Sequence, residues 1–139
     1  MKALRVFLSY AQADEKLAEK IGASLRQAGL TVWDYRRDIL PGDLWSEKAS
    51  QALRDSDAMV VLLTPEAARS KQVRSEIDYA LTQNTFKNRL IPVLVGSPDR
   101  LSKKDLPWIL WELRPVTLPE RGNQQESIKQ IARTLLEAA

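Results

Sequence analysis

A three-layer α/β domain, with a parallel sheet between two layers of helices, is the fold class this sequence predicts. Short apolar runs alternate with amphipathic stretches along the whole chain. One of those runs, 58–63 (AMVVLL), is apolar at every position, as a central parallel strand covered on both faces is. The alternation yields five strands within 139 residues, a length that suits one domain. Right-handed crossovers then favour the flavodoxin-like strand order 2-1-3-4-5.

Taken in order, residues 4–8 form the first strand. Residues 14–28 follow as a helix, with Leu17, Ile21, Ser24, Leu25 and Ala28 on one face and Gly29 as its stop. The second strand is 30–33. The ten residues 34–43 (DYRRDILPGD) read as a polar loop with a Pro41-Gly42 turn and Asp43 as the next helix cap. That next helix carries Trp45, Ala49, Ala52 and Leu53 on one face, which assigns Trp45 to packing. After the strand 58–63, one helical stretch runs to about Asn84. The fourth strand is 90–95, a short helix covers 106–110, a brief strand 114–117, and Ile128, Ile131 and Leu135 mark a terminal amphipathic helix. No repeat, low-complexity tract or linker divides the chain, so 1–139 is read as a single domain.

Composition narrows the chemistry. Hydrophobic residues at 44% and charged residues at 28% give the balance of an ordinary globular domain. With no Cys there is no disulfide, thiolate catalysis or thiolate metal site; with no His there is no Ser-His-Asp triad and no histidine-ligated metal, so the metal prediction is none. Acid–base work falls to carboxylates, Lys, Arg, Tyr or Ser. The net charge of +3 comes from 21 basic and 18 acidic residues interspersed along the chain, without a basic stripe interleaved with aromatics, so nucleic acid is not an expected partner. No apolar run approaches ~18 residues, so no membrane span is expected. The opening MKALRVFLSY lacks the length and cleavage site of a signal peptide, making cytoplasmic the default location.

In this fold class ligands bind beyond the carboxyl ends of the strands, at the switch between strands 1 and 3. That rule nominates Ser9, Tyr10 and Ala11 after the first strand and Thr64 and Pro65 after the third. A phosphoacceptor receiver domain would need acidic residues in these places, and they are absent. A dinucleotide-binding GxGxxG after a strand is absent too, among only five glycines.

A more specific likeness lies in the motifs. Phe7-Leu8-Ser9-Tyr10 followed by Asp14 is similar to the "FISY…D" box of TIR (Toll/interleukin-1 receptor) domains, and the segment 29–34 (GLTVWD) to their second strand. Asp38-Ile39-Leu40-Pro41-Gly42-Asp43-Leu44-Trp45 resembles the end of their BB loop. The segment 52–57 followed by VVLLTP resembles the "AL..S…VV.LSP" box, and the segment 70–81 (SKQVRSEIDYAL) resembles "S.WV..E…AL". The boxes occur in order over roughly residues 4–95. The resemblance is to TIR domains of prokaryotic type. One departure stands out: Gln72 occupies a place where the family commonly has Trp, an aromatic suited to stacking on a base.

The resemblance implies an enzyme that hydrolyses or cyclises NAD+ in prokaryotic immune signalling, with NAD+ as substrate, no cofactor, and Glu76 as the catalytic residue. The helical count agrees with such use. Val73, Ile77, Ala80 and Leu81 form a stripe, and Glu76 lies roughly 85° from its centre, on the margin of the buried face, while Ser75 and Asp78 point away. Candidate substrate contacts are Ser9, Tyr10 and Thr64 at the strand ends, Trp33 as a stacking ring, and Arg36 and Arg37 as pyrophosphate ligands. The candidate interaction loop is Asp38, Ile39, Leu40, Pro41 and Gly42, whose apolar pair Ile39-Leu40 suits self-association or docking on another TIR-bearing protein. Two other classes remain open on the sequence: a non-catalytic TIR interaction module, and a nucleoside deoxyribosyltransferase-like enzyme.

Overall fold

The computed structural model describes residues 4–101, 104 and 106–138. Among them, five parallel strands, β1 (Arg5–Ser9), β2 (Thr31–Trp33), β3 (Ala58–Leu63), β4 (Leu90–Val95) and β5 (Val116–Leu118), form one sheet in the order β2-β1-β3-β4-β5. Six α-helices among the described residues connect and cover them: α1 (Glu15–Gln27), α2 (Tyr35–Asp38), α3 (Trp45–Asp55), α4 (Pro65–Arg69), α5 (Lys71–Thr82) and α6 (Gln125–Glu137). The expected class and strand order are those observed. None of the described helices is long and apolar enough to cross a membrane.

The central strand β3 is buried at all six positions, which is what its unbroken apolar run requires. Helix α1 packs beside α6, while α3 and α5 pack against β1 and β3. The buried stripe of α1 is Ala18, Ile21, Gly22 and Leu25, so the expected Ala28 turns out to be exposed. Gly29 ends this helix in a left-handed conformation, φ 93°. Its N–H donates to the Arg26 carbonyl at 3.0 Å and the Leu30 N–H donates to Leu25 at 3.1 Å, the pair of bonds of a Schellman motif. Replacing Gly29 by Ala should therefore cost about 1 kcal/mol, read as a lower thermal midpoint, because a Cβ is disfavoured at that φ.

Two connections depart from the sequence reading. The stretch 34–43 is not all loop, because residues 35–38 form α2. Asp34 caps it by accepting from the Arg36 N–H at 3.1 Å, and its own N–H donates to the Asp38 carboxylate at 2.8 Å. This reciprocal capping by two carboxylates was present in the sequence but was hidden by the charged run around it. The expected helix from 65 to 84 is also broken. Thr64 caps α4, and Ser70, with extended backbone, caps a new helix by accepting from the Val73 N–H at 3.2 Å. The break starts α5 at Lys71 and places Glu76 in its second turn. Smaller shifts occur late in the chain, where the helical segment is a 3-10 turn at Trp108–Glu112 rather than 106–110.

Candidate functional site

Three elements meet at the carboxyl ends of the strands. Ser9 is the last residue of β1, Tyr35 opens α2 just after β2, and Glu76 projects from α5. Their side chains converge. Glu76 Oε1 accepts from the Ser9 hydroxyl at 2.7 Å and from the Tyr35 phenol at 2.5 Å, while among the described residues Oε2 accepts only from the Gln72 amide at 3.3 Å. Glu76 is 6% exposed, deeper than the marginal, half-desolvated position that the helical count gave. Burial raises its pKa above the ordinary carboxylate range, and the hydrogen bonds from Tyr35, Ser9 and Gln72 oppose that rise. Tyr35 moves the same way: burial first, then the nearby charge of Glu76, push its phenol above the usual range, so it stays a donor.

Aromatic rings hold Tyr35 in place. Phe7, Tyr10 and Trp33 meet it edge-on at centroid distances of 5.8, 5.2 and 5.2 Å, and Trp45 stacks on it at 5.3 Å. A cleft of about 480 Å³ opens beside this cluster between α3 and α5, with Glu76, Gln72 and Trp45 in its lining. A second cleft of about 320 Å³, with Tyr10, Tyr35 and Arg36 in its lining, shares Gln72 and Trp45 with the first. Gln72 and Trp45 thus stand on the wall between the two. Both volumes lie in the range of small-molecule sites.

The family profile described as "TIR domain" matches residues 6–132 of the chain. The chain belongs to the TIR-domain family. It is 32% identical over 117 residues to a stimulator of interferon genes protein of Magallana gigas, a match that covers 82% of this chain. The chain spans only 27% of the length of that curated relative. Among solved structures it is similar to a metazoan TIR-STING receptor from C. gigas, described in complex with 2',3'-cGAMP, with a TM-score of 0.75 and 26% identity over 94% of this chain and 38% of that one. It is also similar to the TIR domains of the activated Roq1 resistosome, with a TM-score of 0.74 and 16% identity over 94% of this chain and 98% of that one, a likeness of fold. These matches establish the family without singling out a prokaryotic subtype.

Within this TIR domain the sequence candidates separate. Ser9 donates to Glu76 and is fully buried. Tyr10 donates to Asp34 and lines the second cleft. Trp33 stacks on Phe7 at 5.0 Å and lines neither of these clefts but a separate groove, with Val32, Asp38 and Lys48 in its lining. Thr64 lies elsewhere too: its hydroxyl donates to Asp14 at 2.5 Å and accepts from the Ala67 N–H at 3.1 Å. Arg36 lines the second cleft but is ion-paired with Glu15 and Glu19 of α1, and Arg37 is exposed outside both clefts. In the candidate loop, Asp38 belongs to α2 and Ile39 packs half-buried on the core. Pro41-Gly42 makes the expected turn, with Gly42 at φ 93° and the Asp43 N–H on the Leu40 carbonyl at 3.0 Å. The Asp43 carboxylate accepts from the Leu40 N–H at 2.8 Å instead of capping α3.

Sequence reasoning missed Tyr35 altogether and gave Trp45 packing alone; Trp45 does stack on Tyr35, and it is also 41% exposed on the cleft wall. The available signal was weak: an aromatic one residue after the Trp33-Asp34 strand end, inside a charged run. Gln72 was read as a lost aromatic. The structure instead gives it a polar task on Glu76, and Trp45 supplies an exposed indole in the same cleft.

Proposed function

We propose that this TIR domain cleaves NAD+ at the nicotinamide–ribose bond, with Glu76 as the catalytic carboxylate. One observation carries the reading: a buried carboxylate in a cleft wall has one oxygen held by Ser9 and Tyr35 and the other, Oε2, bonded among the described residues only to the Gln72 amide at 3.3 Å. Oε2 therefore has acceptor capacity left for a ribose hydroxyl. Nicotinamide in NAD+ is already a cationic leaving group. When the C1′–N bond breaks, its electron pair leaves with nicotinamide and oxocarbenium character builds on the ribose. An ionised Glu76 hydrogen-bonded to the ribose hydroxyl stabilises that charge in a site of low dielectric. Water then bonds to C1′ and releases a proton, giving ADP-ribose, or an internal oxygen or nitrogen attacks and closes a ring. The chain's own groups supply the chemistry, with NAD+ as substrate and no cofactor. Trp45, whose one face lies on Tyr35, offers a stacking surface in the cleft in place of the aromatic missing at Gln72.

The reading requires ionised Glu76, so activity should rise with pH through a midpoint above the ordinary carboxylate range. Tyr35→Phe removes a donor that favours the ionised form. The acidic limb should then move further up, with kcat falling more at pH 6 than at pH 8. A pH–rate profile superimposable on that of the parent chain would remove Tyr35 from the mechanism.

Incubating the concentrated protein with NAD+ and identifying products by mass spectrometry tests the function itself. Release of nicotinamide together with linear or cyclic ADP-ribose is the expected result; unchanged NAD+ at concentrations that permit self-association would overturn it. Immune signalling in the cytoplasm is the setting we assign. It is supported by the resemblance and by relatives named as a stimulator of interferon genes protein and a resistosome recognising a pathogen effector.

A further inference from the structure

We infer that Arg54 and Lys71 form the phosphate-binding end of the Glu76 cleft, taking the diphosphate of a dinucleotide. The inference deepens the proposed function and rests on the cleft being a nucleotide site. Arg54 lies in the last turn of α3 and Lys71 opens α5, and both line the 480 Å³ cleft together with Glu76. Among the lining residues they are the two cations, facing one buried carboxylate. Neither is spent on a carboxylate among the described residues. Arg54 is instead oriented by the Gln51 side-chain carbonyl, to which its Nη2 donates at 3.1 Å. Arg36, the sequence candidate for this task, is neutralised by Glu15 and Glu19.

Lys71 and Glu76 are five positions apart on α5, about 7.5 Å along its axis and about 140° around it, so it is the long, flexible stem of Lys71 that brings its charge to the cleft Glu76 lines. A phosphate beside Glu76 would be repelled, so the anion belongs at the far end, where the N-terminus of the twelve-residue helix α5 adds positive potential. Arg54 presents a planar fork for two phosphate oxygens and Lys71 a mobile point charge, one from each wall. The ribose then rests at Glu76 with the diphosphate leading away between α3 and α5.

The test compares the parent chain with an Arg54→Gln, Lys71→Gln double variant and with a charge-matched control, Lys20→Gln, Lys129→Gln, placed in a separate groove between α1 and α6. Three readouts are taken on each protein: NAD+ turnover, turnover of nicotinamide riboside, which has no phosphate, and binding of ADP by calorimetry. The double variant should raise the NAD+ KM and weaken ADP binding about tenfold each, with kcat and nicotinamide riboside turnover held. The control should match the parent chain. An NAD+ KM and ADP affinity equal to those of the control, or an equal loss with nicotinamide riboside, would overturn the subsite while leaving NAD+ cleavage in place. A parent chain that binds ADP, loses it in the double variant and yet cleaves no NAD+ would support the subsite and sink the hydrolase reading. A parent chain that binds no ADP at millimolar concentration would overturn the subsite.

Discussion

Glu76→Gln should lower NAD+ turnover by at least about a hundredfold and, at neutral pH, raise the thermal midpoint of the same protein. The first effect follows from charge. Gln keeps the volume and can still accept from Ser9 and Tyr35, but it offers no negative charge to an oxocarbenium ion. The second follows from burial, which raises the Glu76 pKa in the folded chain. Between the unfolded and the folded pKa the folded state binds more protons than the unfolded one, so stability falls as pH rises through that window. At neutral pH the ionised carboxylate destabilises the fold, and the neutral amide relieves it. The stability difference should vanish below the ordinary carboxylate pKa, where both states are protonated. Asp78→Asn, on the exposed face of the same helix, should change neither quantity. Turnover and melting curves measured together across pH decide the matter, and a Gln variant that keeps near-parental turnover removes Glu76 from the chemistry.

Leu40→Asp should weaken self-association at least about tenfold and lower specific activity at any fixed concentration. Leu40 is 63% exposed and Leu44 69%, at the start of the Pro41-Gly42 turn and just beyond it. The turn is closed both by the Asp43 N–H on the Leu40 carbonyl and by the Leu40 N–H on the Asp43 carboxylate, so these two side chains are presented on a defined backbone. The apolar pair expected from sequence was Ile39-Leu40, but Ile39 is half-buried against the core and Leu44 takes its place on the surface. Such a pair suits a contact with a second TIR domain. If the contact joins unlike surfaces, it propagates into a ring or an open filament rather than a two-fold dimer. An aspartate there would lose its water on association, whereas in the isolated domain it stays hydrated, so the melting temperature of dilute protein should hold. Sedimentation and turnover across one dilution series provide the check. Specific activity that stays flat from dilute monomer upward would rule out catalysis gated by assembly.

Local patterning carried much of this molecule. The apolar run of β3, the Gly29 stop and the Pro41-Gly42 turn could each be read from residues within one or two turns, because helix and strand periods are short, whereas the count left Glu76 on the margin of α5 and packing buried it. The sheet order followed from the alternation of those elements. What the carboxylate touches could not be read that way. Ser9 and Tyr35 lie 67 and 41 positions from Glu76 in the chain, and they meet it only because β1, α2 and α5 converge at one sheet edge. The same distance effect decided the cations. Arg36 looked available in the sequence, but α1 brings Glu15 and Glu19 against it, while Arg54 and Lys71 line one cleft because α3 and α5 flank it. Trp45 shared a helical face with Ala49 and Leu53, yet only the tertiary placement of Tyr35 gave it a ring to stack on and left it part-exposed. Periodicity assigns a side chain to a face; which groups wait opposite that face is set by packing between segments far apart in sequence.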